Sequence, residues 1–298
     1  MAGRDKTVAL LALLTGAIVW GMIWYPYRIF ERVGLPGLHA SILSYLVALG
    51  LGCIFLRAHL RGGFSWKLLL IGLCAGACNL GYVLATLHGE VMRVLLLFYL
   101  APLWTVFLSR LLLGERLSLA GGAVVVLSLG GAVTMLWRPE IGAPWPGNGA
   151  EWTGMAAGFL FALSNVLVRQ TTHLTIERKS LAVFLGVVVL GLLITPFEAL
   201  PGARGELRME GWHWAVLILV GVILYLINLI VQYGLTRTAA NQAVVIFLFE
   251  LVVAALSSWL LAGEVMGLQE WLGGAMIIGA SLFSGKLGAA EGHSAQSP

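Results

Sequence analysis

Eight side chains in this chain of 298 residues carry hydrogen-bonding or ionisable groups inside otherwise apolar runs: Trp20, Asn79, Tyr82, Tyr99, Asn165, Asn228, Gln232 and Glu250. Asn79, Tyr82 and Thr86 are spaced i, i+3, i+7, and Tyr225, Asn228 and Gln232 repeat that spacing, so each trio occupies one helix face. Polar groups at membrane depth cost free energy unless they are paired or wet. Lining a shared cavity, such a set would recognise a small amphipathic solute. Amide N–H groups would meet a carboxylate, a carbonyl or Glu250 would meet an amine, and rings would cover an apolar part or a cation. The competing reading of the stripes is glue between packed helices, where such bonds contribute about 0.6–2 kcal/mol.

Glu250 has no lysine or arginine within one helical turn in sequence. Two roles stay open for it: binding a substrate ammonium or a coupling proton, or bonding a neighbouring helix as a neutral acid. Tyr99 precedes Pro102 by about one turn, where a proline leaves a carbonyl without its amide partner and usable by a solute. Trp20 and Asn165 are expected beside these groups, whereas Gln242 reads equally as an ordinary helix-end residue. The six histidines form no ligand spacing, so no metal, haem or other cofactor is expected. There is no acid–base cluster that would suit an enzyme and no phosphate-binding loop for direct ATP drive. The 18 basic residues are scattered mostly singly, which argues against a nucleic-acid partner.

Such groups must be positioned by helices that cross a bilayer. The chain is 59% hydrophobic and 11% charged, against about 45–50% and about 25% for soluble domains. A span takes about 20 residues, and the apolar runs read as ten: 7–27, 37–56, 66–87, 91–113, 117–137, 152–168, 181–200, 212–234, 238–262 and 267–287. Trp66, Trp137, Trp152, Trp212, Trp214 and Trp271 cluster at span ends as an interfacial belt. Cys53, Cys74 and Cys78 fall inside apolar runs and read as small buried hydrophobes. Lysine and arginine are biased about two to one toward the side holding Arg4, Lys6, Arg57, Lys67, Arg116 and Lys179. This places both termini in the cytoplasm and the chain in the cell (inner) membrane as a multi-pass protein.

The chain repeats itself at an offset of 149 residues. Leu111-Leu112-Leu113-Gly114-Glu115 answers to Leu260-Leu261-Ala262-Gly263-Glu264, Phe98 to Phe247, Ser109 to Ser258, and Asn79 to Asn228. The expected organisation is a first five-helix repeat over 1–137, a linker over 138–151, a second repeat over 152–287, and a disordered polar tail over 288–298. An odd number of helices per half inverts the second half relative to the first, an arrangement typical of secondary transporters with a midplane site. The fold class is therefore all-α integral membrane, with ten transmembrane helices in two inverted five-helix repeats. Glu115 and Glu264 are expected to fix the tight hairpins that follow each fourth span.

These blocks, with Phe98-Tyr99-Leu100-Ala101-Pro102 and Trp20-Gly21, resemble the EamA branch of the drug/metabolite transporter superfamily, and within it the YddG-type amino-acid exporters. The resemblance implies export of small amphipathic metabolites, aromatic and other neutral amino acids above all, by alternating access. Export of organic cations or drugs, or a non-transport membrane role, stays open beside it. Where the family commonly has Leu-Glu-Pro in the ninth helix, Leu251 stands at the proline position. A kink is therefore expected at Pro102 in the first half only. Strict symmetry also sets Tyr99 opposite Leu248, two residues from Glu250, so Tyr99 and Glu250 are not expected to face the cavity equally well.

Overall fold

The structure is a computed structural model that describes residues 2–58, 65–137, 139–141, 145–197, 207–263 and 265–294, with side chains described between 4 and 284 except at 141. The described residues contain no strand. The helices are α1 (Ala2–Met22), α2 (Trp24–Arg32), α3 (Gly37–Phe55), α4 (Trp66–His88), α5 (Val91–Phe98), α6 (Ala101–Leu113), α7 (Leu119–Leu136), α8 (Gly149–Gln170), α9 (Ile176–Ile194), α10 (Gly211–Arg237), α11 (Ala240–Phe247), α12 (Phe249–Ala262) and α13 (Leu268–Ser294). Among the described residues nine helical stretches are long and apolar enough to cross a bilayer, with α1–α2, α5–α6 and α11–α12 each forming one broken span. The expected tenth span falls on α13, which runs on to Ser294; residues 295–298 of the expected tail lie outside the described residues. Successive spans alternate in direction. One end of the bundle, here the tail end, holds the start of α1 and the α6–α7 connection; the other, the linker end, holds the α7–α8 connection.

The halves do not stand side by side as separate bundles. Helix α4 packs on α8 and α9, while α10 packs on α1 and α3; α5 and α6 pack on α8, while α11 and α12 pack on α1. Exchanging the halves maps each of these contacts onto its partner, and maps α3–α9 and α7–α13 onto themselves. The main apolar core, with Phe30, Leu38, Ile71, Leu80, Phe184 and Leu224, therefore draws on both halves. Gly114 and Gly263 close α6 and α12 with the same left-handed φ of 68°. That conformation is easily reached only without a Cβ, which accounts for the paired glycines. Glu264 lies outside the described residues.

The expectation of a one-sided kink is overturned. The first half breaks at Tyr99–Leu100, between α5 and α6, and the second breaks at Leu248, the position 149 residues later. Pro102 has no N–H to donate to the Phe98 carbonyl, and this break takes two residues. Without proline the second break takes one: Leu251 N–H turns to the Leu248 carbonyl at 3.1 Å. Packing sustains it, because α1 presses its backbone there. A Cβ on Gly21 would stand 2.6 Å from the Glu250 carbonyl oxygen.

The partnerless Phe98 carbonyl is not free for a solute, another departure from the sequence reading. Helix α8 covers it at Gly158, where a Cβ would overlap the oxygen. Replacing Gly158 with Leu is expected to destabilise the protein by about 1–3 kcal/mol, the usual cost of overpacking, seen as a lower melting temperature in detergent. Gly279→Leu, where a side chain meets open space, should leave the melting temperature unchanged. Equal effects of the two variants would contradict this packing.

Candidate functional site

The two breaks face each other in the middle of the bundle. Tyr99 at the end of α5 donates its hydroxyl hydrogen bond to Glu250 Oε1 of α12 at 2.6 Å. The two residues not expected to face a cavity equally well are thus bonded to each other. The twofold relation aligns backbone positions, and two long side chains bridge the two-residue displacement between them. Tyr82 and Cys78 of α4 lie within electrostatic range of the same carboxyl.

Around this bond stands a wall of rings. Phe98 meets Tyr82 at 5.1 Å, Tyr99 at 5.3 Å and Phe161 at 5.7 Å between centroids, and Phe161 meets Phe247 at 5.6 Å. Phe98 and Phe247, the pair related by the 149-residue offset, are each the last residue before a break, and Phe161 of α8 lies between them. Tilted and edge-to-face pairs of this kind contribute about 0.5–1.5 kcal/mol each beyond area burial. Sequence reasoning missed Phe161 because a phenylalanine in an apolar run has the same signature as any core residue.

The predicted polar residues divide into satisfied and unsatisfied groups. Asn79 is satisfied: Ser41 donates to its Oδ1 at 2.8 Å, and Tyr27 donates to Ser41 Oγ at 3.3 Å. Asn165 Nδ2, Asn228 Oδ1 and Gln232 Oε1 are buried atoms with no hydrogen-bond partner among the described residues. Helices α8 and α10 run in the same direction and are pinned together where Lys179 Nζ donates to the Val168 carbonyl at 2.9 Å and to Thr236 Oγ1 at 3.1 Å. Counting back at equal rise per residue sets Asn165 level with Gln232–Tyr233, and Phe161 level with Asn228–Leu229. Helix α1 lies against Val231 and Phe247 at Gly16 and against Glu250 at Gly21, which places the partly buried Trp20 in the same layer.

Other expectations are not met. Thr86 turns its hydroxyl to its own helix, at the carbonyls of Tyr82 and Val83. Tyr225 packs against Phe55 and Phe184. Gln242, by contrast, takes the helix-end role that the sequence also allowed, donating to the Ser284 carbonyl at 2.6 Å. Cys53 is exposed on the bundle, unlike Cys74 and Cys78. Lys179, read as a loop charge, is fully buried because α9 begins at Ile176, ahead of the expected start. Glu115 closes its own hairpin through its backbone N–H, which donates to the Ser109 carbonyl at 3.2 Å, and its carboxylate reaches further, accepting from the Ala240 N–H of α11 at 3.1 Å and lying 3.6 Å from Arg169 of α8. At the linker end, Arg93 of α5 grips Glu151 of α8 with both Nε and Nη2, at 2.8 and 2.9 Å. Two recesses, of about 160 and 220 Å³, lie at the ends of the bundle rather than in the central layer.

A family model of EamA-like transporters matches residues 7–137 and 149–285. The chain belongs to the EamA-like transporter family. It is a multi-pass membrane transporter. It is 27% identical over 265 residues to a riboflavin transporter of Rhizobium johnstonii, covering 85% of this chain and 82% of that protein. It is 24% identical over 269 residues to a riboflavin transporter of Brucella anthropi, covering 85% and 89%. A solved crystal structure superposes with a TM-score of 0.75 at 20% identity, over 94% of this chain and 98% of that one, a likeness of fold.

The orphaned amides separate cavity from glue. If Asn228 serves a solute, Asn228→Leu should leave the solute-free protein within about 0.5 kcal/mol of the parent in detergent unfolding, since no bond is lost. Ser41→Ala, which removes the bridge to Asn79, should destabilise it by about 1 kcal/mol. A comparable loss from Asn228→Leu would make that residue an interhelical bond after all.

Proposed function

We propose that this EamA-like transporter is a secondary carrier of flat, uncharged heteroaromatic solutes with amide-like edges, riboflavin foremost. The observation that carries the reading is the layer itself: tilted and edge-to-face rings centred on Phe161, flanked by the partnerless amides of Asn165, Asn228 and Gln232. Rings offer faces to an extended ring system at little conformational cost. Neutral amides offer both donors and acceptors to the polar edge of such a molecule, and each gains a bond it lacks in the empty protein. Relatives that cover most of the chain bear the name riboflavin transporter, which supports the same class. In this reading Trp20, Tyr82 and Tyr99 extend the ring surface, while Asn79 and Glu250 serve the polar part of the solute.

A second reading keeps amino acids as substrates and rests on Glu250. A carboxyl at mid-span can take an ammonium group, while the N-terminus of α6, opening at the first break, suits a carboxylate. Organic cations would use Glu250 and the rings alone. In either reading Glu250 is also the candidate carrier of a coupling proton. The protein is assigned to the inner (cell) membrane with both termini cytoplasmic, and two bundles that each draw helices from both repeats, 1–137 and 152–287, rock about the layer to move solute outward.

Purified protein in liposomes should exchange labelled riboflavin above protein-free vesicles. Phe161→Ala should weaken riboflavin binding about 5- to 10-fold, corresponding to about 1–1.4 kcal/mol. Labelled phenylalanine and an organic cation, tested in parallel, should move more slowly. Flux of phenylalanine alone would favour the amino-acid reading, and an absence of riboflavin exchange would overturn the leading one.

A further inference from the structure

The polar bonds outside the central layer are unevenly placed. Helix α8 is tied to the broken fourth span at both ends, by Arg93–Glu151 at the linker end and by Gln170 Nε2 donating to the Leu112 carbonyl at 3.0 Å at the tail end. With α4 packed on α8, this makes one unit of α4, α5, α6 and α8. Across from it, α1 packs on α10, α11 and α12, and the start of α2 is tied to α12 by Trp24 Nε1 donating to Ser257 Oγ at 2.9 Å. These helices form a second unit.

Bonds between the two units gather at the tail end. Ser109 Oγ of α6 donates to Asn241 Oδ1 of α11 at 3.1 Å, and both residues are buried. One turn nearer the surface, Glu115 Oε2 accepts from Ala240 N–H, the first helical residue of α11. Arg169 Nη1 of α8 donates to the Thr236 carbonyl at 2.7 Å while its Nε faces Glu115 at 3.6 Å. Fully buried Lys179 spans the α8 and α10 ends through Val168 and Thr236. The first N–H groups of a helix have no intrahelical partner and favour an anion, as the last carbonyls favour a cation. The Glu115–Ala240 and Arg169–Thr236 bonds each meet one of those needs across the boundary between units, and Ser109–Asn241 adds a buried side-chain pair, so parting the units exposes unmet groups to water, which can satisfy them. The recess of about 220 Å³ bounded by Glu115, Arg116, Asn241, Gln242 and Ser284 lies directly outside this layer of bonds.

We propose that Glu115, Arg169 and the Ser109–Asn241 pair are positioning residues that close the tail end of the transport path, with the recess as the vestibule that opens when they release. The carboxylate of the Gly-Glu block is thereby a gate contact between halves, beside the backbone bond by which Glu115 closes its own hairpin. The proposal rests on the chain's working by alternating access, and its test uses no solute, so it can fail independently of the riboflavin assignment.

The test places a reporter behind the closure. Thr105, one turn deeper than Ser109 on the same face of α6, is 1% exposed. In protein lacking Cys53, Cys74 and Cys78, Thr105→Cys should react slowly with a water-soluble maleimide in nanodiscs. Glu115→Ala should speed that reaction by at least about tenfold, the change expected on losing one hydrogen bond to a charged group. Glu115→Gln, which keeps an acceptor for Ala240, should fall between. Arg93→Gln, which breaks the ion pair at the opposite end, should leave the rate unchanged. Asn241→Ala offers a second route to the same acceleration if Glu115→Ala does not fold. Rates equal to the parent in Glu115→Ala and Asn241→Ala, or equal acceleration by Arg93→Gln, would overturn the proposal.

Discussion

A bilayer gives a backbone carbonyl no partner, so a span can break only where protein or water takes over the lost bond. Three spans of this transporter break, and two of the breaks, one in each half, lie opposite each other. At both breaks neighbouring helices, not lipid, lie against the exposed backbone. Gly158 of α8 seals the Phe98 carbonyl, Gly21 of α1 brings a second helix against the other break, and Tyr99 joins Glu250 across the gap. Once the breaks are fixed there, the rings that end α5 and α11 must converge on Phe161. The central layer is a consequence of where the backbone is interrupted.

The interleaving of the halves gives that layer its mechanical setting. Each half contributes helices to both units, so a relative movement of the units is felt at once on both sides of Tyr99–Glu250. At the linker end the described Arg93–Glu151 pair holds helices within one unit, while at the tail end Glu115, Asn241 and Thr236 bond across units. Net hydrogen bonds of about 1 kcal/mol each are strong enough to favour one state and weak enough to exchange for water. Burial of Lys179 against neutral oxygens adds a cation that matches two helix C-termini.

The sequence carried the periodic features well. The offset of 149 residues aligned Phe98 with Phe247 and Gly114 with Gly263, and both pairs occupy matching places in the fold. The resemblance read from the Gly-Glu blocks led to the right family. Contacts between halves were beyond its reach, because spacing along one helix says nothing of which partner it meets. Glu115 therefore read as a hairpin brace alone, and Asn79 and Asn228, equal in pattern, proved unequal in bonding. Lys179 read as a loop charge because a start estimated from apolar content alone began too late. The single proline misled about symmetry, since packing can hold a helix open without one.

The account stands or falls on the bond between the two facing broken spans. A double-mutant cycle on Tyr99→Phe and Glu250→Ala, read by thermal unfolding of the solute-free protein in detergent, measures it directly. A coupling energy of about 0.5–3 kcal/mol, the range for a hydrogen bond to a neutral or charged partner, is the result predicted. Additive effects of the two substitutions would show that the breaks are held independently, and would contradict the arrangement on which the central layer is built.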